Sequence, residues 1–263
     1  MKWAWRIGSL AGIPVYVHAT FFLIFAWVAL QTGTKDGWGN LVVSLLFVGA
    51  LFGCVVLHEL GHALAARRYG IETKDITLLP IGGLARLERM PRDPKQELVV
   101  ALAGPAVNVV IAAVLFLVLG SVPTLEQLPA RIQPQLFLQQ LMVVNVFLVL
   151  FNLLPAFPMD GGRVLRALLA RDGDWLRATE RAVRIGRWVA LAMAILGFSP
   201  YGSFMLVFIA GFVWISGQKE LMAMRMRHTG SPFDMGGLED MLRRAAGGPG
   251  GAPPARDASD ERD

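Results

Sequence analysis

Of 263 residues, 54% are hydrophobic and only 17% charged, and the mean hydropathy is +0.51, a balance too apolar for a soluble domain of this size. The formal charge of +5 and pI near 9.8 fit lysines and arginines gathered in membrane-flanking loops as well as they fit nucleic acid, and the reading here is of topology, with no nucleic-acid partner. A single cysteine, Cys54, excludes a disulfide framework and a cysteine-rich metal site.

A membrane helix needs about 20 mostly apolar residues. Taken in chain order, such runs lie near Val15 to Leu30, Leu41 to Leu64, Leu98 to Leu119 and Leu136 to Leu154. Two shorter ones follow, Ala182 to Phe198 and Phe204 to Leu221, parted by the turn Ser199-Pro200-Tyr201-Gly202. The expected fold class is therefore an all-α polytopic membrane protein of about six transmembrane helices, in contact with membrane lipid. The first run lacks a small-residue cleavage site and is followed by further spans, so it reads as a permanent helix with no soluble domain before it.

With the N-terminus in the cytosol, every lysine and arginine of the 25 except Lys35 and Arg131 falls in a cytosolic segment. The positive-inside rule then places both termini in the cytosol of a multi-pass cell-membrane protein. Domain organisation reads as a membrane-embedded domain over 1–228. The segment 229–263, rich in glycine, proline and charge, reads as a disordered cytosolic tail.

Near the cytosolic end of the second run stands His58-Glu59-Leu60-Gly61-His62. On a helix, positions i and i+4 share a face, so two imidazoles in this H-E-x-x-H pattern can bind one Zn²⁺ while Glu59 takes a proton from water beside it. A chance match is the bland alternative. Against it, histidine occurs four times in all, and ionisable groups in hydrocarbon are costly unless they ligate or pair. A catalytic zinc usually takes three protein ligands. Asp160, in the helix-breaking run Asn152 to Gly162, is the candidate for the third, since the second and fourth spans run the same way and end at one depth. Its alternative role is an ordinary Asp-Gly turn.

These segments resemble the site-2 proteases, intramembrane zinc peptidases of family M50. HELGH at 58–62, LPIGG at 79–83, AGPAVN at 103–108 and NLLPAFPMDGG at 152–162 stand in that family's order, and GIPVYVH at 12–18 is similar to its N-terminal segment. The resemblance covers roughly residues 8 to 228. It implies one zinc per chain held by His58, His62 and Asp160, with Glu59 as general base and Asn152 helping to bind the scissile carbonyl. It also implies regulated intramembrane cleavage of a transmembrane or membrane-tethered protein substrate near the cytosolic face. The layout is similar to the family's six-span subgroup with CBS domains, without a CBS or PDZ module in this chain.

Other polar residues keep two readings. Asn145 and Asn152, seven apart, share a face and could line a hydrated cavity; for Asn108 and Asn145, hydrogen bonding between helices competes equally. Gly104 reads as a close-packing residue beside Pro105. His18 reads as a buried histidine of the first span, bonded to a neighbouring helix, with an extra ligand or proton relay as the alternative. Cys54, one turn before His58, reads as a small core residue rather than a group approaching the metal. Thr77 to Leu87, with Pro80 and Gly82-Gly83, suggests an extended or hairpin segment at the membrane surface, against a plain amphipathic connector; the resemblance implies a small β element beside the site, whose edge could hold substrate by strand addition. The rival functions are an inactive membrane scaffold of the same fold and a CAAX-type membrane metallopeptidase, the latter resembling a family whose third ligand is a downstream glutamate. A di-iron oxidase would need more histidines, and a transporter fits the carboxylate beside H-E-x-x-H poorly. Substrate identity and oligomeric state are not encoded in any motif.

Overall fold

The computed structural model describes residues 3–33, 37–80, 82–89, 91, 93–123, 132–170, 173–199 and 202–228. The expected tail at 229–263 lies outside the described residues. The chain divides into two compact units within its last helix, Met1–Leu221 and Met222–Asp263, and the sheet and the candidate site both belong to the first.

The chain opens with a hairpin. Strand β1 (Ala4–Leu10) pairs antiparallel with β2 (Ile13–His18) through a turn at Ala11 and Gly12, both at positive φ. In β2 the side chains alternate between buried and half-buried, and Val15 and Val17 pack with Phe21 and Leu78 onto Val48, Phe52 and Val56 of the following long helix. That alternation corrects the expected first span: Val15–His18 is strand. The apolar helical stretch after it, Ala19–Thr32 with α1 at Phe22–Gly33, is shorter than the other candidate spans. His18 is correspondingly not a histidine within a span; its Nδ1 bonds Thr20 Oγ1 at 2.8 Å and caps the first turn after β2.

Helix α2 (Gly37–Arg67) runs 31 residues, about 46 Å at the usual rise, more than a hydrocarbon core requires. Its far end delivers the chain to β3 (Thr73–Leu79), which lies parallel to β2 across this helical crossover. Pro80 and Gly82 then turn β3 back into β4 (Gly82–Leu87), giving a four-stranded sheet in the order β1-β2-β3-β4 with β4 at one edge. The expected small β element thus exists and is twice as large as the 77–87 hairpin alone.

Asp93 caps α3 (Pro94–Leu119), accepting from the Lys95 and Gln96 amides, and Gly120 closes it in the left-handed conformation. Helix α4 (Phe137–Asn152) stops where Pro155 and Pro158 withdraw backbone donors. The chain turns through residues 153–159 into α5 (Asp160–Leu169). Helix α6 (Trp175–Gly197) and α7 (Phe204–His228) complete the fold.

Among the described residues, four helical stretches are long and apolar enough to cross a membrane: Trp38–Arg67, Pro94–Leu119, Pro134–Asn152 and Phe204–Met226. The fifth expected span differs. Helix α6 begins seven residues before Ala182 and is amphipathic, and Glu180, Arg181, Arg184 and Arg187 leave it no 18-residue window with two or fewer charges. Six spans reduce to four helices of full apolar length plus α1 and α6.

Candidate metal centre

Three elements that are remote in sequence converge at the lower half of α2. Asp160 opens α5 because the Pro155 to Met159 turn folds the chain back beneath α4, and it faces the HELGH segment of α2. The Nε2 atoms of His58 and His62 lie 3.1 Å from each other and each 3.1 Å from Asp160 Oδ2. All three side chains are buried.

The far nitrogens of both rings are fixed. His58 Nδ1 donates to Asn108 Oδ1 at 2.5 Å, and His62 Nδ1 donates to the Val100 carbonyl at 2.7 Å. With those protons committed, both Nε2 atoms present lone pairs toward a carboxylate oxygen, an arrangement that is repulsive without a cation among them. Tetrahedral zinc with bonds of about 2.0–2.1 Å separates its ligands by about 3.3 Å, close to the spacing seen. Gly104 of α3 leaves room at this point: a Cβ there would strike His62 Nε2 and Cε1 and His58 Nε2. The donor set, its fixed tautomers and the space beside Gly104 fit one such ion.

The polar chain continues outward. Asn108 Nδ2 donates to Asn145 Oδ1 at 2.8 Å, and Asn145 Nδ2 reaches the Leu141 carbonyl and, at 3.4 Å, Cys54 Sγ. Of the two readings of Asn108 and Asn145, interhelical bonding is the one found, and both are buried. Cys54 is engaged there and is not part of the His58, His62, Asp160 group.

Glu59 points elsewhere, toward the sheet. Its Oε2 accepts the Ala85 amide of β4 at 3.1 Å, and Gly83 is close enough that a Cβ would meet Glu59 Cγ at 2.7 Å. A cavity of about 400 Å³ joins these parts, bounded by the HELGH face, by Gly82–Ala85 and Leu87 of β4, and by Asn152, Asp160 and Arg163. A larger apolar groove of about 560 Å³ between β1 and α2 carries no histidine or carboxylate and lies on another face of α2. Every expected site residue therefore borders one cavity. Gly104, Gly83 and Arg163 were not singled out as site residues from sequence. Arg163 had a signal, since it follows Asp160 by three, one residue past that motif.

A bundle of apolar helices with a small sheet and a buried two-histidine, one-carboxylate group defines a membrane protein of the metallopeptidase class. Comparison with known proteins makes this specific. The model of peptidase family M50 matches residues 46–136 and 123–196, and the chain belongs to that family. It is 36% identical over 220 residues to a zinc metalloprotease of Methanocaldococcus jannaschii, covering 84% of this chain and 61% of the relative. It is 28% identical over 167 residues to stage IV sporulation protein FB of Bacillus subtilis, covering 63% of this chain and 51% of the relative. The chain thus spans little more than half the length of these relatives. Among solved structures, it is similar to a site-2 protease from Methanocaldococcus jannaschii, with a TM-score of 0.58 and 34% identity over 83% of this chain and 95% of the other. The fold is that of the site-2 proteases.

Proposed function

We propose that this chain hydrolyses peptide bonds of membrane-spanning or membrane-tethered proteins, near the cytosolic face of the cell membrane. The observation that carries this reading is the convergence of His58, His62 and Asp160 in one cavity with Glu59 and an edge strand. His58, His62 and Asp160 hold one zinc ion, which when bound lowers the pKa of water toward neutrality and polarises a carbonyl. Glu59 takes the proton of the attacking water and returns it to the leaving amine. Asn152, at the end of α4 on the cavity wall, donates to the scissile carbonyl oxygen.

The edge of β4 gives the substrate somewhere to lie. A transmembrane helix has its carbonyls satisfied internally and must unwind before any one can be attacked. An unwound segment can regain main-chain hydrogen bonds by adding to β4 along the cavity. Helix-weakening residues should therefore mark good substrates. His58 lies nine residues from the Arg67 end of α2, about 14 Å. With both termini cytosolic, as the distribution of lysine and arginine favours, cleavage releases cytosolic portions of the substrate. Residues 1–228 act as one protease domain, with 229–263 a cytosolic tail.

The test is zinc content and cleavage of a helix-weakened transmembrane peptide by purified wild type, Glu59→Gln and Asp160→Ala. Expected are an active wild type, a Glu59→Gln protein that keeps zinc but not activity, and weakened zinc in Asp160→Ala. Zinc unaffected by Asp160→Ala, together with an inactive wild type, would favour a non-enzymatic scaffold.

A further inference from the structure

Arg163 stands on the first turn of α5, three residues after Asp160, so the two side chains share a face. It is half-buried and lines the cavity with His58, Glu59, His62, Asn152 and Asp160. Its neighbour on the same helix, Arg166, is fully committed: it pairs with Glu97 and, at 2.5 Å, with Glu220. Among the described residues, Arg163 makes no direct ion pair, and its charge acts on Asp160 and Glu97 from longer range. Glu59, the cavity's other acid, is turned to the Ala85 amide.

A guanidinium on the wall of a partly desolvated cavity, with no direct ion pair, is free to meet negative charge that develops there. Hydrolysis of a peptide bond develops such charge at one place, the scissile carbonyl oxygen as its carbon becomes tetrahedral. A guanidinium offers that oxygen two N–H donors in a rigid plane, and it keeps all its protons throughout.

We propose that Arg163 is a catalytic residue that hydrogen-bonds the scissile carbonyl oxygen and gains strength as that oxygen becomes an oxyanion. This rests on the proposed hydrolysis and adds a charged donor to the neutral one assigned to Asn152. The competing role, charge balance for Asp160, would act on the metal instead, and the two separate by measurement. Donors aimed at developing charge act mainly on the transition state, so their loss falls on kcat and on the affinity of tetrahedral analogues.

The experiment uses the full zinc-loaded chain in detergent, as wild type, Arg163→Gln and Arg163→Lys. Three quantities are read: zinc per chain, kcat and KM on the helix-weakened peptide, and calorimetric affinity for a peptide phosphinate of the same sequence. Expected for Arg163→Gln are unchanged zinc, kcat lower by about 10²–10³-fold with KM little changed, and phosphinate affinity weaker by the same factor as kcat/KM. Arg163→Lys, which keeps the charge but loses the planar fork, recovers part of both. It carries the same comparison should Arg163→Gln fail to fold. Unimpaired kcat, phosphinate affinity that does not follow kcat/KM, or loss of zinc would each overturn the assignment. An inactive wild type would instead count against the hydrolysis itself, whereas an active wild type with an unimpaired Arg163→Gln overturns this assignment alone.

Discussion

At the scale of single residues, the centre depends as much on what is small as on what ligates. Gly104 faces the Nε2 atoms of both histidines, so Gly104→Ala must push the rings apart or shift α3. The expected result is zinc affinity weakened roughly 10–100-fold, as when groups supporting metal ligands are changed, in a protein whose helix content is unaltered. Competition with a zinc chelator followed by circular dichroism measures both, and an unchanged affinity would mean that α3 yields without cost. The candidate ligands and Glu59 were legible because H-E-x-x-H fixes its residues on one helical face, and Asp160 because a lone carboxylate sits in a helix-breaking run. Gly104 was not legible in that role, because the contact that defines it comes from a helix 42 residues away, and a glycine beside Pro105 looks the same whether it faces a lipid, a helix or an imidazole.

At the scale of elements, the question is what holds α5 so that Asp160 meets α2. Arg166 answers it. The residue is buried on α5, its guanidinium pairs with Glu97 at the start of α3 and with Glu220 on α7, and it lies over the Phe157 ring at 5.1 Å. Glu97 in turn precedes Val100, whose carbonyl fixes His62, so a single ion pair ties the carboxylate's helix to the helix that orients a histidine. Arg166→Met would leave Glu97 buried without its partner, a loss of about 3–5 kcal/mol. The double change Arg166→Met with Glu97→Met should recover much of it, because the one carboxylate still left without its partner, Glu220, keeps contact with solvent. Unfolding followed in detergent micelles checks both, and a double variant as unstable as the single one would show that packing of the arginine stem, rather than charge, is what holds α5. The sequence marks β4 and the end of β3, since Pro80 and the paired glycines interrupt the apolar pattern, but not the start of β3 at Thr73–Ile76. It hides β2, because the alternation of Ile13, Val15 and Val17 merges into the apolar run after it and a period of two over six residues is lost there.

At the scale of the molecule, a polar chain from Cys54 through Asn145, Asn108, His58 and Asp160 crosses four helices inside an apolar bundle. Such a chain is tolerable in a membrane only because each buried donor and acceptor in it finds a partner. It is also directional, ending at a cavity closer to the Arg67 end of α2 than to the Gly37 end. Which side of the membrane that cavity serves is then a question of orientation, and the proposal that it is the cytosol rests on the distribution of lysine and arginine. Cys54 is buried and bonded to Asn145, so the native chain should be silent to a membrane-impermeant maleimide, and single exposed cysteines can be introduced against a clean background. Ser121→Cys, just beyond α3, should label in intact cells. Lys74→Cys, on β3 beside the cavity's sheet, should label only after the membrane is opened. The reverse pattern would place the sheet and the metal centre toward the outer face. Substrates would then lose extracellular rather than cytosolic portions, while the chemistry assigned to His58, Glu59, His62 and Asp160 would stand unchanged.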